Sequence, residues 1–192
     1  MQINKLSPDT PIIGLENSKL VDFWAWAYSD VLVNTNRSVL AEFIVGSMLG
    51  VVKQPRVEWD VCDLYYHERK IEVKCSAYLQ SWPQQKISPI VFDIAKKLAD
   101  NTLSDINSKV PMRISDCYVF CLFVAKDKDS ANILDMGAWE FYVLNTATLS
   151  KTMGDQKSIR LSRLCQISEP VKIDRLKERV DTELGLTPKS AD

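Results

Sequence analysis

The chain has 192 residues, 46% apolar and 26% charged, the profile of one globular domain in water. Lys and Arg number 24 and Asp and Glu 25, a formal net charge of −1. That balance excludes a general nucleic-acid coating protein built on basic excess, so contact with nucleic acid needs a local patch or cations that offset acidic side chains.

No apolar run approaches the roughly 18 residues of a membrane span. Met1 to Thr10 lacks the basic start and apolar core of a secretory signal, so a cytoplasmic chain with no membrane partner is expected. Of five cysteines, Cys62, Cys75, Cys117 and Cys121 fall in apolar strand-like runs and read as buried free thiols. With one histidine, His67, and no CxxC pair, neither a zinc site nor a Ser-His-Asp or Cys-His centre is indicated.

In chain order, Ser18 caps a first helix whose stripe is Leu20, Phe23, Trp24 and Ala27, inside an N-terminal helical extension over about 18–35. Trp24, Trp26 and Tyr28 suit core packing, a homodimer contact or base stacking. Asn36 or Ser38 caps a second helix that runs to Leu49 and stops at Gly50. Val39, Leu40, Phe43, Ile44, Val45 and Met48 make it apolar nearly all round, which predicts burial. Glu42 lies inside it, with Gly46 one turn on leaving space beside the carboxylate. A carboxylate there must be paired, protonated or metal-bound. Arg37 is placed to reach that carboxylate or a phosphate.

Residues 63–76 read as a β-hairpin turning between His67 and Glu68. Cross-strand partners have a constant index sum, so Asp63 falls opposite Glu72. Alternation then sorts both arms. One face carries Cys62, Leu64, Tyr66, Ile71, Val73 and Cys75; the other carries Asp63, Tyr65, Lys70, Glu72 and Lys74. A one-residue slip would reverse the sorting.

Ser88, with Pro89 at the first position, starts a third helix with the stripe Val91, Ile94, Ala95 and Leu98. Cys117 to Ala125 is continuously apolar, the pattern of a central strand covered on both faces. Trp139 to Leu144 is a further strand, and a last helix covers about 173–185. The fold class is α/β, a sandwich with a mixed central sheet flanked by helices.

The chemistry-bearing constellation is Glu42 on a helix, Asp63 on one strand and Glu72-Val73-Lys74 on the next. Glu-x-Lys alone is a weak signal. It gains weight because it lies on an apolar strand, faces an acid across the hairpin and follows a helix with a buried acid. The plainer arrangement of the same residues is a solvated hairpin face, with Glu72 pairing its lysine neighbours and Glu42 in a structural ion pair.

Asp63, the run Lys70-Ile71-Glu72-Val73-Lys74-Cys75-Ser76 and the upstream Glu42 resemble the PD-(D/E)XK nuclease superfamily over about residues 36–145. The string from Ile71 to Trp82, with the earlier Trp59-Asp60, is similar to a smaller bacterial group within it. The resemblance implies a restriction-endonuclease-like fold with an αβββαβ core over one domain, residues 1–192. It also implies a nuclease of restriction, defence or repair, acting on DNA before RNA. Cys62 rather than proline precedes Asp63, and Asp60 is a rival for the first acid.

Under that resemblance Asp63, Glu72 and the Val73 carbonyl offer hard oxygen donors to Mg²⁺ or Mn²⁺, and Glu42 ligates the ion or orients its water. Lys74 positions the attacking water and stabilises charge on the phosphate. Gln80 matches a glutamine that supports such sites. Lys86, Lys96, Lys97, Lys109 and Arg113 are candidate phosphate contacts or plain surface charges. No appended reading domain is visible, so specificity comes from substrate structure, a homodimer or a separate specificity subunit. A catalytically inactive binding or scaffolding protein of the same fold is the alternative.

Overall fold

The structure is a computed structural model that describes residues 3–58, 60–97 and 110–186. Its elements are α1 (Leu20–Tyr28), α2 (Asn34–Leu49), β1 (Leu64–Tyr66), β2 (Arg69–Ala77), β3 (Val91–Asp93), β4 (Cys117–Phe123), β5 (Trp139–Asn145), α3 (Thr146–Met153), β6 (Ser158–Arg160), α4 (Leu161–Leu164) and α5 (Ile173–Leu184). The central sheet has the order β1-β2-β4-β5. β1 and β2 are antiparallel, β2 and β4 parallel, and β4 and β5 antiparallel, so the sheet is mixed.

All seven residues of β4 are buried, as its unbroken apolar run requires. Alternation sends Cys117, Val119, Cys121 and Phe123 to the layer formed by α2 and α5. Tyr118, Phe120 and Leu122 face a second layer made from β3, β6, α3 and α4. β5 divides the same way: Trp139, Phe141 and Val143 point to the first layer, Tyr142 and Leu144 to the second. All five cysteines are free, with Cys62, Cys117 and Cys121 buried and Cys75 partly so. Among the described residues no helix is long and apolar enough to cross a membrane.

The hairpin has the expected register, with Leu64 opposite Ile71, Tyr65 opposite Lys70 and Tyr66 opposite Arg69. His67 (φ 46°) and Glu68 (φ 62°) both take the left-handed conformation of a two-residue type I′ turn. That turn fixes the register over Leu64–Tyr66, but the expected pairing of Asp63 with Glu72 is not formed: the ladder ends at Leu64–Ile71, and the Asp63 N–H donates to Ile71 O, one residue off the constant index sum.

Five expectations are corrected. The third helix is instead β3, paired antiparallel with β6. Ile90, Phe92 and Ile94 are buried while Val91 and Asp93 are exposed, a period of two. Leu98, the last member of the proposed stripe, lies outside the described residues. Helix α1 is capped at Lys19, whose N–H donates to Asp22 Oδ2 at 2.8 Å, and not at Ser18. It buries none of its residues, so Trp24 and Trp26 do not serve the core. Helix α2 begins at Asn34, earlier than Asn36 or Ser38, and ends at Gly50 in the left-handed conformation (φ 73°). Gly46 leaves no open space, because a Cβ there would lie 2.6 Å from Val52 Cγ1 and 3.3 Å from Leu64 Cδ2. Its role is to let α2 approach that loop and β1.

Candidate functional site

β1 is short, and its end creates the site. The last backbone bond of the hairpin runs from Asp63 N–H to Ile71 O at 3.2 Å. Beyond it β2 continues with no strand on that side among the described residues. The Asp63 carboxylate takes the missing strand's place, with Oδ2 accepting the Val73 N–H at 2.7 Å. A residue's N–H and C=O point to the same side of a strand, so the Val73 carbonyl faces the same open edge. Asp60 is placed differently: its Oδ1 accepts the Val61 N–H at 2.7 Å and the Tyr65 hydroxyl at 3.2 Å. It is Asp63, not Asp60, that meets β2.

Glu72 is the most enclosed acid of the cluster, with 4% of its surface exposed. Lys74 Nζ donates to its Oε1 at 2.7 Å and Lys97 Nζ donates to the same oxygen at 2.9 Å. Ser115 Oγ donates to Oε2 at 3.2 Å. Burial disfavours the charged form, yet the two lysines outweigh it and hold the Glu72 carboxyl below its ordinary range. Glu72 raises Lys97 in turn, against the burial of the ammonium. Asp63 has the opposite environment: burial first, then the Glu72 charge, pushes its carboxyl up to about 6. The Val73 N–H and Lys74 offset this only in part.

Glu42 is buried and paired, as an acid in an apolar helix must be. Its partner is Arg56, which donates from Nη2 to Oε1 at 3.0 Å and from Nε to Oε2. The bidentate pair raises the Arg56 pKa. Arg37 does not reach Glu42. It is buried and donates to Leu32 O at 2.8 Å and to Asn34 Oδ1. Glu42, Arg56, Asp60 and Asp63 line one cavity of about 370 Å³ between α2, the loop after it and the start of the hairpin. Glu72 and Lys74 lie outside its lining.

Gln80 is buried, with Nε2 donating to Ala77 O at 3.1 Å, and its Oε1 has no hydrogen-bond partner. None of its bonds reaches Asp63, Glu72 or Lys74. Of the candidate phosphate contacts, only Lys97 joins the cluster. Lys96 pairs with Asp155 at 2.6 Å, and Lys86 is exposed. Arg113 is a buried clamp that donates to the carbonyls of Ile94, Gly154 and Gln156 at 2.9–3.0 Å, which takes it away from any phosphate. Lys109 and Trp59 lie outside the described residues.

Sequence reasoning placed Lys97 only among flanking charges and gave no role to Ser115 or Arg56. The strict alternation of Ile90 to Ile94 was the available signal for Lys97, since a strand there carries the following lysine toward β2. Among the described residues no three His, Cys, Asp or Glu side chains form a metal-binding group. No protein-family model, curated protein or solved structure matches the chain.

Proposed function

We propose that the chain is a divalent-cation-dependent phosphodiesterase acting on nucleic acid, DNA before RNA. The supporting observation is the uncompensated acid at the open strand edge. Asp63 accepts the Val73 N–H, and its carboxyl is raised because nearby positive charge does not offset its burial and the charge of Glu72. Two crowded hard-oxygen acids beside a lysine are a donor set suited to Mg²⁺ or Mn²⁺. The PD-(D/E)XK resemblance of Asp63 and Glu72-Val73-Lys74, and with it the restriction-endonuclease-like version of the α/β fold, is part of this reading.

Asp63, Glu72 and the Val73 carbonyl would hold the ion. When bound, it supplies a Lewis acid for the phosphate and lowers the pKa of a coordinated water. The chain's own groups do the rest. Lys74, 2.7 Å from Glu72 and one-fifth exposed, is placed to hydrogen-bond a water or a phosphate oxygen at the mouth. Lys97, more than half exposed, bonds the same Glu72 oxygen at 2.9 Å. Glu42 is proposed as a positioning residue, holding Arg56 beside Asp63. Joining the ligand set would require it to give up that pair.

A second reading is supported by the saturation of Glu72: two lysines and a serine satisfy it without an ion. A non-catalytic nucleic-acid-binding protein of this fold would show the same bonds. A panel of linear, circular, single-stranded and branched DNA, with RNA, incubated with Mg²⁺, Mn²⁺, Ca²⁺ or chelator separates the two. Cleavage in Mg²⁺ or Mn²⁺ that disappears in Lys74→Ala is expected. Wild-type cleavage by a folded Lys74→Ala would sink the catalytic assignment.

A further inference from the structure

The cavity beside Asp63 has a lining unlike that of a phosphate site. Val39, Phe43, Val57 and Tyr65 are large apolar side chains exposed to solvent, and all four line it. Exposed apolar groups gathered on one concavity mark a binding surface, whereas single scattered ones do not. At about 370 Å³ the cavity falls within the roughly 300–1,000 Å³ of small-ligand sites.

Its charges define the occupant. The two cations on the wall are engaged: Arg56 with Glu42, and Lys5 with the Val52 carbonyl at the rim. Among the described residues the carboxylates of Asp60 and Asp63 have no cation bonded to them, only N–H and O–H donors. A phosphate inside the cavity, away from an ion held at the strand edge, would be repelled by these acids. A flat, neutral ring with N–H donors at its edge would stack on the aromatic walls and donate to the acids. Asp63 belongs to both the cavity and the strand-edge site, so the occupant is continuous with whatever lies at Glu72.

We propose that this cavity is a nucleobase subsite, taking one unstacked base of the strand whose phosphate lies at Asp63 and Glu72. Phe43 and Tyr65 are its stacking faces. Asp60 and Asp63 accept from exocyclic amino groups, which favours cytosine and adenine over thymine. Tyr65 is held by its own hydroxyl bond to Asp60 Oδ1 at 3.2 Å, so stacking face and acceptor form one unit. The subsite rests on the nucleic-acid reading above, but not on hydrolysis.

The test is binding of labelled single strands of equal length, oligo(dC), oligo(dA), oligo(dT) and a fully abasic strand, followed by fluorescence anisotropy in Ca²⁺. Homopolymers prevent the protein from sliding away from a missing base. Loss of base stacking corresponds to a roughly 5- to 150-fold loss of affinity. The expected result is that wild type binds oligo(dC) and oligo(dA) more tightly than the abasic strand by a factor in that range, with oligo(dT) between. Phe43→Ala is expected to lose most of that difference while keeping its affinity for the abasic strand. Phe43 is 57% exposed, so the substitution spares the core, and circular dichroism checks the fold. Equal affinity for all four strands overturns the subsite, as does a base preference that survives in Phe43→Ala. Absence of binding to any strand overturns both the subsite and the nucleic-acid reading. Cleavage without base preference removes the subsite and leaves hydrolysis standing. Base preference without cleavage does the reverse.

Discussion

Asp63, half-buried just before β1, and Glu72, buried on β2, are carboxylates close enough to feel each other's charge, yet their surroundings differ in sign. Glu72 has two ammonium groups within 2.9 Å and sits below the ordinary carboxylate range. Asp63 accepts one backbone N–H and is pushed up to about 6. The difference teaches where the charge deficit lies. One acid is held ready by protein cations, and the other is left to be compensated from outside. Structural ion pairs are built with both partners present. An acid held uncompensated costs stability, and such sites mark function.

The largest expected effect breaks the Glu72 side. Glu72→Ala leaves Lys74, Lys97 and Ser115 without their shared acceptor in a partly buried setting. It is expected to cost about 2–4 kcal/mol in urea denaturation. If the change is below about 0.5 kcal/mol, Glu72 is no more than a solvated face charge of the kind that contributes little.

Next is the Asp63 side, with the opposite sign. The folded carboxyl titrates near 6, above its ordinary 3.8, so the folded state holds the proton more tightly. The stability this contributes is fully present below about 3.8 and is lost as pH rises through about 6. Asp63→Asn keeps an acceptor for the Val73 N–H and removes the charge. At neutral pH and without metal it is expected to gain of order 1–3 kcal/mol, and to gain nothing in acid. Glu72 has a lowered carboxyl, so its contribution is present above its unfolded pKa and is lost as pH falls through the folded value. The two acids therefore bend the stability curve in opposite directions. A pH series of thermal melts of wild type and Asp63→Asn reads this directly. An Asp63→Asn protein less stable than wild type at neutral pH would abolish the contrast.

The smallest expected effect concerns the turn that sets the register of the hairpin. His67 and Glu68 both hold positive φ, which costs about 1 kcal/mol for residues other than glycine and asparagine. Replacing them by Asn and Gly is expected to raise stability by about 1 kcal/mol, with the Asp63–Val73 bond unchanged. Amide exchange at Val73 checks the second half. Faster exchange there would mean that the register had slipped.

The hairpin was legible because constant-index pairing and two-residue alternation sort its residues without conflict, and β4 because a strand buried on both faces needs no polar residue. β3 was misread because Val91, Ile94 and Ala95 match helical spacing, while Ser88-Pro89 imitates a helix start. The alternating Ile90, Phe92 and Ile94 share the same residues. Asp93 between two buried neighbours was the discriminating sign. The stripe of α1 looked like core spacing, but in the described structure no element covers it. At the site, the hairpin's local pairing carried Asp63 to the edge of β2, but the break in the ladder that turns its carboxylate to the Val73 N–H lay outside the constant index sum. That Glu42 needed a partner followed from its apolar helix, but that Arg56 supplies it depends on the path of the loop after α2. Lys97 reaches Glu72 only because β3 packs near β2, a long-range fact that spacing does not carry.

The deficit at Asp63 is tested most directly by titrating metal-free protein with Mn²⁺ at neutral pH and reading free Mn²⁺ by electron paramagnetic resonance. Wild type is predicted to take up Mn²⁺ saturably, with uptake lost in folded Asp63→Asn and retained in Phe43→Ala. Uptake that is the same in Asp63→Asn as in wild type, or absent from both, would contradict a cation-compensated pair of acids at the open edge of β2.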